Sequence, residues 1–343
     1  MTKALRGRMK KEINMTISEK VAYLKGLAEG LAIDTEKSKE GKLISVMIGI
    51  LEEIGMYADD PSDLVSEKLS AAVFHGTPLG RPILGRKATL DKMTGAWLKE
   101  YKQSHYTADR IIITLAGSFT DEILDEIRAR FSVMTPGKAK KLKRVTAQDS
   151  IVVKKKATEQ NHLLAAFPAI TDRDPRKYQM QLLSSILGGG MSSRLFQQVR
   201  EKNGLCYAIY TYTASFLDCG MFGISAAVGR ETEQRALALI RDELERFRTD
   251  GVTQSELDRA REQVHASVLM AEESTASRMN KLGYSELYLG RVLPADEVLA
   301  RYDAVTREDI LGLARETLDF DRVSFSAVGR LRPQEEYAQQ LRR

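Results

Sequence analysis

Two stretches of this chain repeat each other at a fixed distance, and that repeat limits the fold more than any other feature. Leu79-Gly80-Arg81 returns as Leu289-Gly290-Arg291, 210 positions on. Asp91 and Thr94 return as Asp303 and Thr306, and Asp109-Arg110 as Asp321-Arg322, all 212 positions on. The apolar run 111–115 closed by Gly117 returns at the same spacing as 323–327 closed by Gly329. Chance matches do not keep one spacing over so long a stretch, so the chain reads as two copies of one unit. The second copy opens on a predicted strand at 151–155. Its counterpart 212 positions earlier falls before Met1, so the first copy is expected to be truncated at its N-terminus and to lack its leading strands.

Local patterns then fill in each copy. In the first, helices are predicted over 18–31, 42–57, 63–74, 94–105 and 121–131, with a strand over 110–116. Pro61-Ser62 and Thr94 supply start signals. In the second, strands are predicted at 151–155, 162–167, 207–216 and 221–228. Helices are predicted at 175–187, 192–202, 231–249 and across 254–288, the last entered through a Thr253/Glu256 capping box. Gly188-Gly189-Gly190 reads as a helix stop with positive φ angles. Helices alternating with antiparallel strand pairs make the class α+β, each copy an antiparallel-rich sheet covered on one face by helices. The expected domains are 1–137, a basic linker 138–150, and a complete second half 151–343.

Composition excludes several functions. The longest apolar run is far short of the roughly 18 residues of a membrane span, and no apolar segment follows Met1 as a secretory signal would require. Net charge is +5, from 52 basic and 47 acidic side chains. The basic excess sits at Lys138, Lys140, Lys141, Lys143 and Arg144, then Lys154, Lys155 and Lys156. No aromatic side chain interrupts that stretch, so it reads as a solvated linker rather than a nucleic-acid surface. Cys206 and Cys219 are the two cysteines and fit a reducing, cytoplasmic setting. A hairpin turning near Asp218 places Cys206 opposite Arg230, so no disulfide is expected.

Several strings carry a family resemblance. Gly188-Gly189-Gly190-Met191-Ser192-Ser193-Arg194-Leu195-Phe196 is followed by Arg200-Glu201-Lys202-Asn203-Gly204-Leu205-Cys206-Tyr207. With Leu51-Glu52-Glu53-Ile54-Gly55-Met56-Tyr57, Pro78-Leu79-Gly80-Arg81 and Ser274-Thr275-Ala276-Ser277-Arg278-Met279, they resemble the insulinase and mitochondrial-processing-peptidase family of pitrilysin-type zinc metallopeptidases. The resemblance runs from about residue 41 to 328. It implies a clamshell of two homologous halves, in keeping with the repeat, and peptide hydrolysis at a zinc ion held by an H-x-x-E-H helix and a distant Glu.

The sequence departs from that pattern at the metal. Its four histidines are His75, His105, His162 and His265, and none forms an H-x-x-E-H. The resemblance puts Glu53 at the third zinc ligand, a role open to it only if the missing histidines are supplied. Val46 replaces a further family carboxylate. Zinc is thus expected for the family and none for this chain alone. The same resemblance implies that Arg200 and Tyr207 bind the substrate carbonyl and steady the oxyanion, and that Gly188, Gly189 and Gly190 touch substrate. The expectation is a homologue of zinc endopeptidases, incomplete and inactive as it stands. The alternative is a non-catalytic partner that binds peptide within a homo- or heterodimer.

Overall fold

The computed structural model describes residues 60–137 and 144–342, together with Ser45 and Gly49. The helix expected at 18–31, the helix expected at 42–57 apart from Ser45 and Gly49, Glu53, and residues 138–143 of the linker lie outside them. Helix α1 spans Pro61–Val73, and the Asp60 side chain accepts from the Ser62 and Asp63 N–H groups at its open end. A single turn α2 (Lys87–Leu90), α3 (Gly95–His105) and α4 (Asp121–Phe131) are the further α-helices among the described residues of the first half. The second half runs β1 (Ile151–Lys155), β2 (Asn161–Ala169), α5 (Lys177–Gly188), a π-helix Phe196–Glu201, β3 (Cys206–Ser215) and β4 (Gly220–Val228). Helices α6 (Glu233–Asp250), α7 (Gln254–Glu273), α8 (Thr275–Leu289), α9 (Ala295–Asp303) and α10 (Arg307–Thr317) follow, then β5 (Ser324–Gly329) and α11 (Gln334–Leu341).

The repeat is visible element by element. Helix α3 and its Thr94 cap stand 212 residues before α10 and its Thr306 cap, and both threonine side chains accept from the third N–H of their helix. The short 3-10 turns Ala108–Arg110 and Phe320–Arg322 keep the same spacing. Gly117 and Gly329 both take positive φ. The fold is α+β, as expected.

The five strands form one sheet in the order β1-β5-β2-β4-β3, parallel between β1 and β5 and antiparallel elsewhere. Strand β2 alternates strictly. Leu163 and Phe167 face one cluster with Ile240, Leu244, Phe247, Ile310 and Leu313 of α6 and α10, while Leu164 and Ala166 face the other way. That second face was expected to be open. Instead α1 covers it, burying Val65, Leu69, Val73 and Phe74 against Leu164, Ala166, Met221 and Val328. A helix of the first copy thereby completes the core of the second. Strands apolar on both faces need such cover.

Three further expectations are corrected. Residues 110–116 form no strand: Ile111 has extended angles (φ −120, ψ 125), yet none of residues 111–116 makes a backbone hydrogen bond to a described residue. Extended backbone becomes a strand only when neighbours take its N–H and C=O groups. Among the described residues the single sheet lies in the second half. The helical region 254–288 is two helices, because the Ser274 side chain turns to cap α8 through the Ser277 N–H. Cys206 pairs with Val228 rather than facing Arg230, since the register shifts by a bulge between Cys206 and Ala208. Both cysteines are free. The Thr253/Glu256 capping box is formed as expected.

Candidate functional site

The site is built where α5 stops, the chain turns and β3 begins. Gly188 ends α5, but no glycine of the triplet has positive φ, contrary to the expectation. The requirement is space. A Cβ on Gly188 would lie 2.6 Å from both the Thr211 N and Cγ2 atoms, and one on Gly189 would lie 2.6 Å from the Ser185 Cα. The helix end therefore sits directly on the β3 backbone, and Thr211 Oγ1 donates to the Ser184 carbonyl at 2.8 Å. Gly190 is uncrowded, its nearest neighbour being Gln263 Nε2 at 3.8 Å.

Past the triplet, Ser193 Oγ donates to Gly190 O at 2.5 Å and Gln197 Nε2 to Met191 O at 2.8 Å, pinning the loop. Arg194 anchors it below. Its Nε and Nη2 donate to the two Glu256 oxygens at 2.6 and 2.7 Å, and Nη2 also donates to Gly251 O at 2.8 Å. Burial alone would raise the Glu256 pKa. The Arg194 fork and the Thr253 N–H outweigh it and hold the carboxyl at about 2.

The expected helix 192–202 winds as a π-helix over Phe196–Glu201. A π turn inside helical sequence often marks a functional position. The helix closes through Gly204 at φ 59, whose N–H donates to Arg200 O at 2.9 Å. Leu205 N–H donates to Val199 O at 3.0 Å and turns the chain into β3. This geometry brings Arg200 and Tyr207 together. The Arg200 Cζ lies 4.7 Å from the Phe196 ring centroid and 5.7 Å from that of Tyr207. Among the described residues its one ion-pair contact is a long one to Glu201, at 4.0 Å. Tyr207 is 70% exposed, so its phenol is open to a ligand. Burial pushes the neighbouring Cys206 thiol up to about 11, against the opposing pull of the Arg200 charge, which disfavours its thiolate.

Sequence reasoning missed Phe196, although its i,i+4 spacing to Arg200 was a usable signal. It also missed the groove beside the triplet. A cavity of about 390 Å³ is lined by Ser185, Gly190, Met191, Ser193 and Gln263. It shares Ser185 and Gln263 with a second cavity of about 510 Å³ that reaches Gly189 and Thr213. No local pattern could announce that groove, because its walls are α5, β3 and α7.

The donors do not fit a zinc ion. Zinc needs three or four His, Cys or carboxylate ligands converging on one point, and among the described residues no such group of three exists. His265 Nε2 is 2.9 Å from Asp303 Oδ1, and His105 Nδ1 lies 2.8 Å from Ser104 Oγ. His162 is half-buried, which lowers its pKa. Among the described residues no helix is long and apolar enough to cross a membrane.

Comparison with known proteins agrees with this architecture. A family model described as the peptidase M16 inactive domain matches residues 92–264. The uncharacterized zinc protease YmxG of Bacillus subtilis (strain 168) is 38% identical over 273 residues, covering 79% of this chain and 67% of the relative. The uncharacterized zinc protease SCO5738 of Streptomyces coelicolor is 35% identical over 295 residues, covering 82% and 64%. The chain thus spans about two thirds of the length of these relatives. A crystal structure of a peptidase M16 inactive domain from Pseudomonas fluorescens superposes with a TM-score of 0.77 at 24% identity, over 93% of this chain and 77% of that one. A chain of complex III2 from Candida albicans, bound to Inz-5, gives 0.77 at 18% identity, over 90% and 76%. At those identities the likeness is one of fold. With the repeat, the sheet and these matches together, the chain belongs to the insulinase-type peptidase M16 family.

Proposed function

We propose that this chain is the substrate-holding part of an M16 zinc endopeptidase: it binds an extended peptide and presents Arg200 and Tyr207 to a peptide carbonyl. The H-x-x-E-H ligands and general base of the family pattern are not among these 343 residues, so these residues by themselves are expected not to hydrolyse peptides. One observation carries this reading. An exposed phenol and a guanidinium, two strong donors, stand side by side on the rigid junction between a π-helix and β3. Donors preorganised in this way favour a carbonyl oxygen that gains negative charge. The names of the relatives as zinc proteases support the same chemistry.

Binding of fluorescein-labelled, unstructured peptides of mixed sequence to the 343-residue chain, followed by anisotropy, tests the reading. Arg200→Ala should weaken binding at least about tenfold, since a charge-assisted hydrogen bond contributes roughly 1.5–3 kcal/mol. Melting temperature should stay put, because the Arg200 side chain is 40% exposed and lacks a close ion pair. Unchanged binding in Arg200→Ala and Tyr207→Phe alike rejects the proposal.

A further inference from the structure

The backbone beneath Arg200 and Tyr207 is fixed from several directions. Asn203 Nδ2 donates to Gln198 O at 2.8 Å across the end of the π-helix, and Asn203 Oδ1 accepts from Arg235 Nη2 at 3.0 Å. Lys202 N–H donates to Gln197 O at 3.0 Å, the five-residue step of a π turn. Thr232 Oγ1 donates to Leu205 O at 2.8 Å and so ties the entry of β3 to the start of α6. Val199 and Leu205, 0% and 4% exposed, set the same turn into the core.

What remains free is the Arg200 side chain, with its several rotatable bonds. At 4.0 Å, Glu201 is beyond hydrogen-bond reach and does not fix it. Of the two rings beside the guanidinium, Tyr207 is the farther and the more exposed. Phe196 is closer, at 4.7 Å, and packs against the main core. Phe196 is thus the fixed surface and Arg200 the group laid upon it. A guanidinium over a ring uses its flat face and keeps the N–H donors, which lie in its plane, for other acceptors. A carboxylate would occupy those same donors, as Glu256 does at Arg194.

We infer that Phe196 is a positioning residue: its ring holds the Arg200 guanidinium beside the Tyr207 phenol with its donors available, so that both groups reach one peptide carbonyl. The inference deepens the proposed function and rests on it for the identity of the acceptor. The placement of the guanidinium can be read without it.

Nuclear magnetic resonance of the full 343-residue chain, with arginine carrying carbon-13 at Cδ, reads that placement. The Arg200 signal is assigned by its loss in Arg200→Lys. Protons held over an aromatic ring resonate upfield, so the Arg200 Hδ signals should lie upfield of ordinary arginine. Phe196→Leu and Phe196→Met keep an apolar side chain without a ring and should lose most of that shift, whereas Phe196→Tyr should retain it. Two ringless variants are used so that misfolding of one still leaves a reading.

Labelled-peptide binding then separates positioning from packing. Phe196→Met should weaken binding about two- to fivefold, the factor that an exposed cation–π contact supports. Phe196→Tyr should restore it. In an Arg200→Ala background Phe196→Met should change nothing further, while a ring that only packs would weaken both backgrounds alike. Retention of the upfield shift in the ringless variants overturns the inference, as does equal loss of affinity in both backgrounds. So does full affinity in Phe196→Met where Arg200→Ala binds weakly. If Arg200→Ala keeps full affinity, the proposed function fails and the shift alone decides whether Phe196 places the guanidinium.

Discussion

Arg200 and Arg194 show two ways in which an arginine is used in this chain. Around Arg200 the contacts are aromatic faces and solvent, which leaves its donors available. Given a zinc-bearing M16 partner in steady-state assays, Tyr207→Phe should cut peptide cleavage about a hundredfold, near the 3 kcal/mol that one oxyanion donor supplies. Full activity in that variant assigns the phenol no part in the reaction. Around Arg194 the charge is spent on structure, since the Arg194 and Glu256 side chains are 15% and 20% exposed. Glu256 has a folded pKa of about 2 against an ordinary 4.5. A depressed carboxylate stabilises the fold above its unfolded pKa and loses that contribution as pH falls from about 4.5 toward 2. The shift corresponds to about 3 kcal/mol. Urea unfolding of Glu256→Gln should therefore show a smaller loss of stability between pH 5 and pH 2 than the parent chain, while starting lower at pH 7. Parallel curves would remove Glu256 from the acid response.

Among the elements, the junction of α5 and β3 depends on glycines in a way that their φ angles do not reveal. Gly188→Ala forces a methyl against the Thr211 backbone at 2.6 Å and should cost about 1–3 kcal/mol, as overpacking does. Gly190→Ala meets nothing closer than 3.8 Å and should be close to neutral. Denaturant midpoints of the two variants give the comparison, and equal effects would mean that crowding is not the reason for the triplet. Three consecutive glycines look alike in sequence. Only the approach of another strand separates the one that must be glycine from the one that lines a groove.

At the scale of the whole molecule, the halves are joined by exchange of cover as well as by the linker. Helix α1 comes from the first copy but buries Leu69 completely on the sheet of the second. Leu69→Ala should cost about 2–5 kcal/mol, the range for a fully buried leucine, and should lower the unfolding midpoint of the second half's sheet. A fragment of residues 151–343 lacks this cover and exposes Leu164, Ala166, Met221 and Val328. It should melt below the intact chain and bind hydrophobic dyes. A fragment as stable as the intact chain would mean that α1 contributes nothing to that core.

Much of the secondary structure could be read from residues alone. The Thr94 cap and the Thr253/Glu256 capping box rest on partners a few positions away, and the repeat tied the two copies together without any coordinates. The Arg200–Tyr207 pair was legible through its motif. Its geometry came from a π turn that no local preference announces. Whether 111–116 becomes a strand, which face of the sheet α1 covers and why Gly188 cannot carry a side chain were decided by tertiary contacts. In each case the deciding atoms lie far off in the sequence: a neighbour's N–H and C=O groups, an apolar face on another copy, a backbone 23 residues on at Thr211. Hydrogen bonds within a turn are encoded where they form, whereas the neighbours that turn extended chain into sheet, or crowd a Cβ, are set only when distant segments meet.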